Sequence, residues 1–224
     1  MIIPILPGLI YRYRGHSDYP VYHVVWSPVA CYFVSSSHDT TARLWRTDNT
    51  GPLRVFAGHT APVTRSAFHP NGSYVVTASE DLSCRLWDVS SGNCARVISH
   101  NSITTSLAVS PNGRLVASTL ESGEVLIWDI ATTKTLRRYA TESAPRTNGY
   151  HADSSHRLLK NTLSHCLFLH ENTLVTGDQH GNIALWDVRL HSKLHSRPVR
   201  QLRVAGRVRG ISANKAGLLV VGVI

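Results

Sequence analysis

The 224-residue chain is short of several things, and each scarcity narrows what it can be. Its four cysteines stand at 31, 84, 94 and 166, with no Cys-x-x-Cys pair. That spacing offers no common zinc pattern, and Cys84 and Cys166 fall inside apolar runs, where reduced, partly buried thiols are expected. The expected setting is therefore intracellular. No apolar stretch reaches the roughly 18–20 residues that span a bilayer, so no membrane association is expected. The opening "MIIPILPGLI" is apolar but has no basic leading segment and carries Pro4 and Pro7, unlike a secretory signal. Helical periodicity is also missing: no stretch pairs a capping residue with apolar positions at helical spacing.

Acidic residues are few as well, 14 against 23 lysines and arginines, which leaves a net charge of +9. Such an excess raises the question of nucleic acid. The basic residues are scattered, however, and the densest group, "RPVRQLRVAGRVR", lies near the C-terminus. Neither a recognition helix nor a basic groove interleaved with aromatics is visible. A basic surface implies acidic partners or a nuclear setting, and direct sequence-specific binding to nucleic acid is not expected.

What the chain does have is a repeat. Trp45, Trp87, Trp128 and Trp186 close the runs "ARLW", "CRLW", "VLIW" and "IALW", with gaps of 42, 41 and 58 residues. His16, His59 and His100 recur at 43 and 41 residues and precede their tryptophans by 29, 28 and 28. Two different landmarks with matched spacing and a period of about 40–45 residues mark a four-stranded propeller blade.

Residues 59–98 form the clearest unit. "PVTRSAF" alternates as a half-buried strand does, and "HPNG" supplies a tight turn with Asn-Gly at its tip. "SYVVTAS", "CRLWDV" and "CARVI" follow as further strands, separated by "EDLS" and "SSGN". This is an antiparallel meander with two faces to bury, so successive sheets must stack around an axis. The predicted fold is an all-β propeller with about four recognisable blades and partial blades at both ends.

At these residues the chain resembles the WD40 repeat family. That family's His–Ser/Thr–Asp–Trp network matches His16, Ser35, Asp39 and Trp45 in blade one and His59, Thr77, Asp81 and Trp87 in blade two. The resemblance leaves open whether Ser37 or Ser79 replaces Ser35 or Thr77. In later blades it retains His100, Trp128 and Trp186. It implies a structural network that only superficially looks like a catalytic triad, so no catalytic residue, metal or cofactor is expected.

The pattern degrades along the chain. Blade three has Ser122 where the turn aspartate belongs, and blade four has His180 there. Residues 140–162 interrupt the spacing and read as an inserted polar loop. His151, His156, His165 and His170 fit no common zinc arrangement. "GLIYRYR" (8–14) reads as the last strand of a preceding blade. "VRQLRV" reads as the fourth strand of blade four, with two weaker strands after it. This tally suits a piece of a seven-bladed ring.

The stretch from 38 to 100 resembles more narrowly the propeller of the WD40 subunits of transcription factor TFIID (subunit 5) and of SAGA-type coactivators. "ARLW" followed by "TD", "PLRVFAGH", "FHPN" before "SYV", and "GNC" carry this likeness. It implies a nuclear, non-enzymatic scaffold that docks histone-fold TAF subunits, without a small-molecule substrate. A competing reading is a substrate receptor of a cullin-4 ubiquitin ligase, since "WDVR" (Trp186 to Arg189) matches that class's docking motif. Partner contacts are expected on one rim, at Tyr19, Tyr22, His38, Arg65 and Glu80.

Overall fold

The computed structural model describes residues 12–29, 31–140, 163–189, 198–213 and 219–223. Blade one consists of β1 (Val21–Trp26), β2 (Tyr32–Ser37), β3 (Ala42–Arg46) and β4 (Arg54–Phe56). Blade two holds β5 (Val63–Phe68), β6 (Tyr74–Ser79), β7 (Ser83–Asp88) and β8 (Cys94–Ser99). Blade three holds β9 (Thr104–Val109), β10 (Leu115–Leu120), β11 (Glu124–Asp129) and β12 (Thr135–Ala140). Blade four holds β13 (Leu163–His170), β14 (Thr173–Asp178), β15 (Asn182–Asp187) and β16 (Arg200–Arg203). A two-stranded sheet, β17 (Val208–Ala213) with β18 (Leu219–Val223), follows. Every sheet is an antiparallel meander in chain order, and no helix occurs among the described residues. This is the β-propeller arrangement.

The first strands of successive sheets lie side by side, β1 by β5, β5 by β9, β9 by β13 and β13 by β17, and so line a common axis. Burial follows from that placement. The second strands β2, β6, β10 and β14 are sandwiched between blades, and their burial loses the alternation of a one-sided sheet. The outer strands β8 and β16 are mostly exposed.

The core is divided into layers between sheets. Val34, Leu44 and Phe56 of blade one meet Val63, Phe68 and Trp87 of blade two. Val76, Leu86 and Ile98 meet Val116 and Trp128 at the next interface, and Ala117, Ile127 and Tyr139 meet Leu174 and Trp186 at the one after. Each of these tryptophans thus fills the seam with the preceding blade, where truncation to alanine costs roughly 3–5 kcal/mol.

Turn chemistry agrees with the residues. In "HPNG" the Gly72 amide donates to His69 O at 2.8 Å, Gly72 adopts φ +73°, and the Asn71 side chain accepts from the Ser73 amide at 2.9 Å.

One expected element differs. Residues 12–14, the described part of the strand expected over 8–14, form no strand. Instead the segment crosses the face of blade one. The Tyr13 ring sits edge-on to Phe33 and Trp45, at 4.9 and 5.7 Å between centroids, and its hydroxyl donates to Thr47 O at 2.8 Å. Aromatic contact with Phe33 and Trp45 holds the segment there. The insertion expected at 140–162 lies, from 141 on, outside the described residues, as do His151 and His156.

Candidate functional site

Blades one and two carry complete polar chains. In blade one, the Trp45 indole N–H donates to Ser35 Oγ at 2.7 Å, Ser35 Oγ lies 2.6 Å from His16 Nε2, and His16 Nδ1 lies 2.8 Å from Asp39 Oδ2. In blade two, Trp87 reaches Thr77 Oγ1 at 2.8 Å, Thr77 reaches His59 Nε2 at 2.8 Å, and His59 Nδ1 reaches Asp81 Oδ2 at 2.8 Å. The second-strand hydroxyls are therefore Ser35 and Thr77. Ser37 and Ser79 do other work: their hydroxyls donate to Pro20 O and Ala61 O, both at 2.8 Å, and tie the approach to the inner strand.

Proton bookkeeping fixes the direction of each chain. Burial is the largest influence on His16 and His59, and it holds both below the usual histidine value despite the aspartate beside each. The imidazoles are thus neutral near pH 7. Nδ1–H donates to the carboxylate and Nε2 accepts from the hydroxyl, which accepts in turn from the indole. Burial pushes Asp81 upward, but hydrogen bonds from Ser83, His59 and the Thr60 amide outweigh it and hold the carboxyl below its ordinary value. Asp39 is depressed in the same way against burial, by Thr41 and His16. Although hydroxyl, imidazole and carboxylate line up as in a triad, Ser35 and Thr77 are 4% and 0% exposed and already bound by an indole. Neither oxygen can reach a substrate.

Blade three departs from the expectation that His100 and Trp128 join such a network. His100 Nε2 lies 3.2 Å from Cys84 Sγ, in blade two. Trp128 Nε1 and Ser118 Oγ, which occupy the indole and hydroxyl positions, are buried without a hydrogen-bond partner. The cause is Ser122: without an aspartate in the turn nothing holds the imidazole over Ser118. In blade four Trp186 Nε1 donates to Thr176 Oγ1 at 2.9 Å. There Asp178, two residues before His180, takes over the turn. It accepts from the His180 and Asn182 amides at 2.8 Å each and from Asn182 Nδ2 at 2.7 Å.

The accessible surface lies where the inner strands begin. Each inner strand carries a β-bulge near its start, at Val21/His23, Val63/Arg65, Leu163/His165 and Val208/Gly210, and β9 has one opposite Thr119/Leu120. A bulge re-aims the residues beside it. The bulged Thr64, Thr105 and Ser164 turn their hydroxyls onto second-strand carbonyls, those of Ala78, Thr119 and Gly177. Of the following positions, Arg65 and His165 line a cleft, whereas Ser106 is buried and accepts from the Cys166 amide at 3.2 Å.

The expected partner residues divide into two groups on this rim. Tyr19, Tyr22 and His38 form an exposed aromatic cluster on blade one. Tyr19 stacks on His38 at 5.9 Å between centroids, and the Tyr22 hydroxyl is 2.8 Å from His38 Nδ1. The tyrosines are 54% and 44% exposed. Arg65 and Glu80 line a separate cleft of about 590 Å³ that spans blades two to four and β17. Its other walls include Glu121, His165, Arg207 and Arg209, which sequence reasoning did not single out. One signal was available, since His23 and Arg65 both precede their tryptophans by 22 residues.

In the remaining candidate motif, Arg189 chelates Asp187, Nε to Oδ1 at 3.1 Å and Nη2 to Oδ2 at 2.8 Å. Cys84 and Cys166 are buried in strands β7 and β13, and burial pushes their thiols up to about 12 and about 11. Among the described residues no group of three His, Cys, Asp or Glu side chains could hold a metal ion, and no helix is long and apolar enough to cross a membrane.

No curated protein matches the chain. Among protein families, the WD domain, G-beta repeat matches residues 8–46, 50–88 and 92–129. Those segments are the first three repeats, and they contain both complete Trp–hydroxyl–His–Asp chains. With more than half its length matched and every sheet a four-stranded meander or the start of one, the chain belongs to the WD40 repeat family.

Proposed function

We propose that this WD40 chain is a non-enzymatic scaffold in the nucleus, where its propeller docks histone-fold subunits of a TFIID-like or SAGA-like assembly in RNA polymerase II transcription initiation. WD40 repeats serve protein–protein interaction, and that coarse function follows from the family itself. The finer reading rests on the likeness of residues 38–100 to the TFIID and SAGA propellers. One observation favours a scaffold over an enzyme. The side chains of catalytic type in blades one and two are spent inside those blades, while the accessible tyrosines, arginines and glutamates collect on one rim. Aromatic and arginine side chains at a rim are the usual anchors of protein interfaces.

The test is affinity purification of the tagged protein from nuclear extract with mass spectrometry of the recovered chains. Histone-fold subunits of a transcription assembly are expected. Recovery of a cullin-4 adaptor without them overturns this reading and makes Trp186–Arg189 the docking motif.

A further inference from the structure

We propose that the cleft around Arg65 is a carboxylate-recognition site, which receives an aspartate or glutamate carried on an otherwise neutral or basic segment of a protein partner. The proposal rests on the scaffold reading and gives the partner's chemistry.

Three observations converge. First, Arg65 is a half-buried cation with no acid beside it. Its Nη1 donates to the neighbouring carbonyl of Thr64 at 2.8 Å, and none of the ion pairs among the described residues includes it. Desolvation is the main influence on the guanidinium and draws it below its ordinary value. A partly desolvated, uncompensated charge is costly in isolation and gains most from an incoming counter-charge.

Second, basic groups gather around it, and the thiol that also interacts with it, Cys166, is kept protonated by burial. His23 on β1 and His165 on β13 both feel the charge of Arg65, and His165 also feels Arg209 on β17. His165 Nδ1 is buried and has no hydrogen-bond partner. The bulges of β5, β13 and β17 bring Arg65, His165 and Arg209 to one cleft, while His23 stands behind it with Nδ1 3.3 Å from Ser66 Oγ. Planar guanidinium groups beside imidazole nitrogens are the donor set that a carboxylate accepts from.

Third, the lip of the cleft is acidic. Glu80 and Glu121 follow the second strands β6 and β10, farther from the axis than Arg65, and neither forms an ion pair among the described residues. Like charge at the lip opposes a phosphate backbone or a run of acids. It accepts a single carboxylate whose flanking residues are neutral or basic. The arrangement therefore favours a protein segment over nucleic acid.

Random peptides displayed on phage provide the test, with selection on the wild-type chain. The expected enrichment is one acidic position with neutral or basic neighbours. The best peptide, made synthetically and labelled, should lose about ten-fold or more in affinity on Arg65→Gln, the loss expected for a hydrogen bond to a charged group. Arg209→Gln should weaken it as well. Arg96→Gln, which removes an exposed arginine on β8 with the same change in net charge, should leave it within about two-fold.

Thermal unfolding of each variant shows whether it is folded, and Arg209→Gln stands in should Arg65→Gln fail. Selected peptides without an acid, or equal losses in Arg65→Gln and Arg96→Gln, overturn the proposal. So does a labelled oligonucleotide that binds more tightly than the peptide and depends on Arg65. Recovery of histone-fold subunits by the Arg65→Gln protein alongside an acid-free peptide selection removes this inference and leaves the scaffold reading standing. An Arg65-dependent acidic peptide without histone-fold partners does the reverse.

Discussion

Trp87 donates its indole N–H to Thr77 Oγ1 at 2.8 Å, whereas the corresponding Trp128 and Ser118 leave both atoms buried and unpaired. The same two positions in neighbouring blades therefore carry opposite energetics. Thr77→Val keeps the shape of the side chain but strands Trp87 Nε1 and His59 Nε2. An unsatisfied buried group costs about 1–3 kcal/mol, so a loss of roughly 2–4 kcal/mol is expected. Ser118→Ala removes a hydroxyl that bonds to nothing and should stay within about 0.5 kcal/mol of wild type. Urea unfolding of both variants measures the difference. Equal destabilisation would mean that Ser118 has a bonded role and that blade three holds a network after all.

Blade four depends on an aspartate in an unexpected place. Asp178 caps the β14–β15 turn through two backbone amides and the Asn182 amide group. Asp178→Ala should cost about 2–3 kcal/mol, because buried donors lose a charged acceptor. His180→Ala, at the position where blades one and two have their aspartate, should cost well under 1 kcal/mol. Chemical denaturation reads the contrast directly, and a more harmful His180 variant would return the turn to the register seen in blades one and two.

These residues also show what was and was not legible in the sequence. The four strands read in residues 59–98 match β5–β8 to within a residue, and the period of the tryptophans carries over because Trp87 and Trp128 each fill a seam between sheets. The loss of the blade-three network was foreshadowed by Ser122, but the turn of His100 toward Cys84 was not, since that contact crosses into another blade. Asp178 escaped notice because alignment on the tryptophan placed His180 in the turn. Arg65 and Glu80 were expected on the rim, but the other walls of their cleft, Glu121, His165, Arg207 and Arg209, escaped for a different reason. These walls come from strands about 40 residues apart or more, and the only trace of their convergence was the shared 22-residue spacing of His23 and Arg65 to their tryptophans.

His23 gives the chain an acid sensitivity. Burial foremost, then the charge of Arg65 on β5 and of His165 on β13, lowers it to about 4. Unfolded, the imidazole titrates at the ordinary value near 6.5. Between those values the unfolded chain binds a proton that the folded chain does not, so stability falls as pH drops from about 6.5 toward 4. The contribution of this one group amounts to about 3 kcal/mol across the window. His23→Gln, which cannot titrate, should lose less stability than wild type between pH 7.5 and pH 4.5 and match its slope above pH 7. Parallel pH profiles of the two proteins throughout would show that His23 is not the group responsible.

The turns between second and third strands place one residue in the left-handed region in every blade. Thr40 has φ +66°, Leu82 +63°, Gly123 +85° and Gly181 +84°. Leu82 occupies the position in blade two because Asp81 clamps the turn, its Oδ1 accepting from the Ser83 amide at 2.9 Å and the Ser83 hydroxyl at 2.6 Å. The backbone conformation alone therefore does not demand glycine; for a side chain it costs only about 1–2 kcal/mol. Gly181 is different because of what faces it. A Cβ there would stand 2.2 Å from Val204 O and 2.6 Å from Gly206 O, backbone atoms of the link between β16 and β17. Those carbonyls cannot yield without moving the link, and Val204 N already donates to Gly181 O at 2.9 Å. Gly181→Ala should thus cost about 2–4 kcal/mol, conformational strain and collision together. Leu82→Ala, also in the left-handed region but 39% exposed, should cost less than about 1 kcal/mol. Thermal melts of the two variants separate the causes: if Leu82→Ala were as harmful as Gly181→Ala, the contact with the 204–206 link would not be what reserves position 181 for glycine.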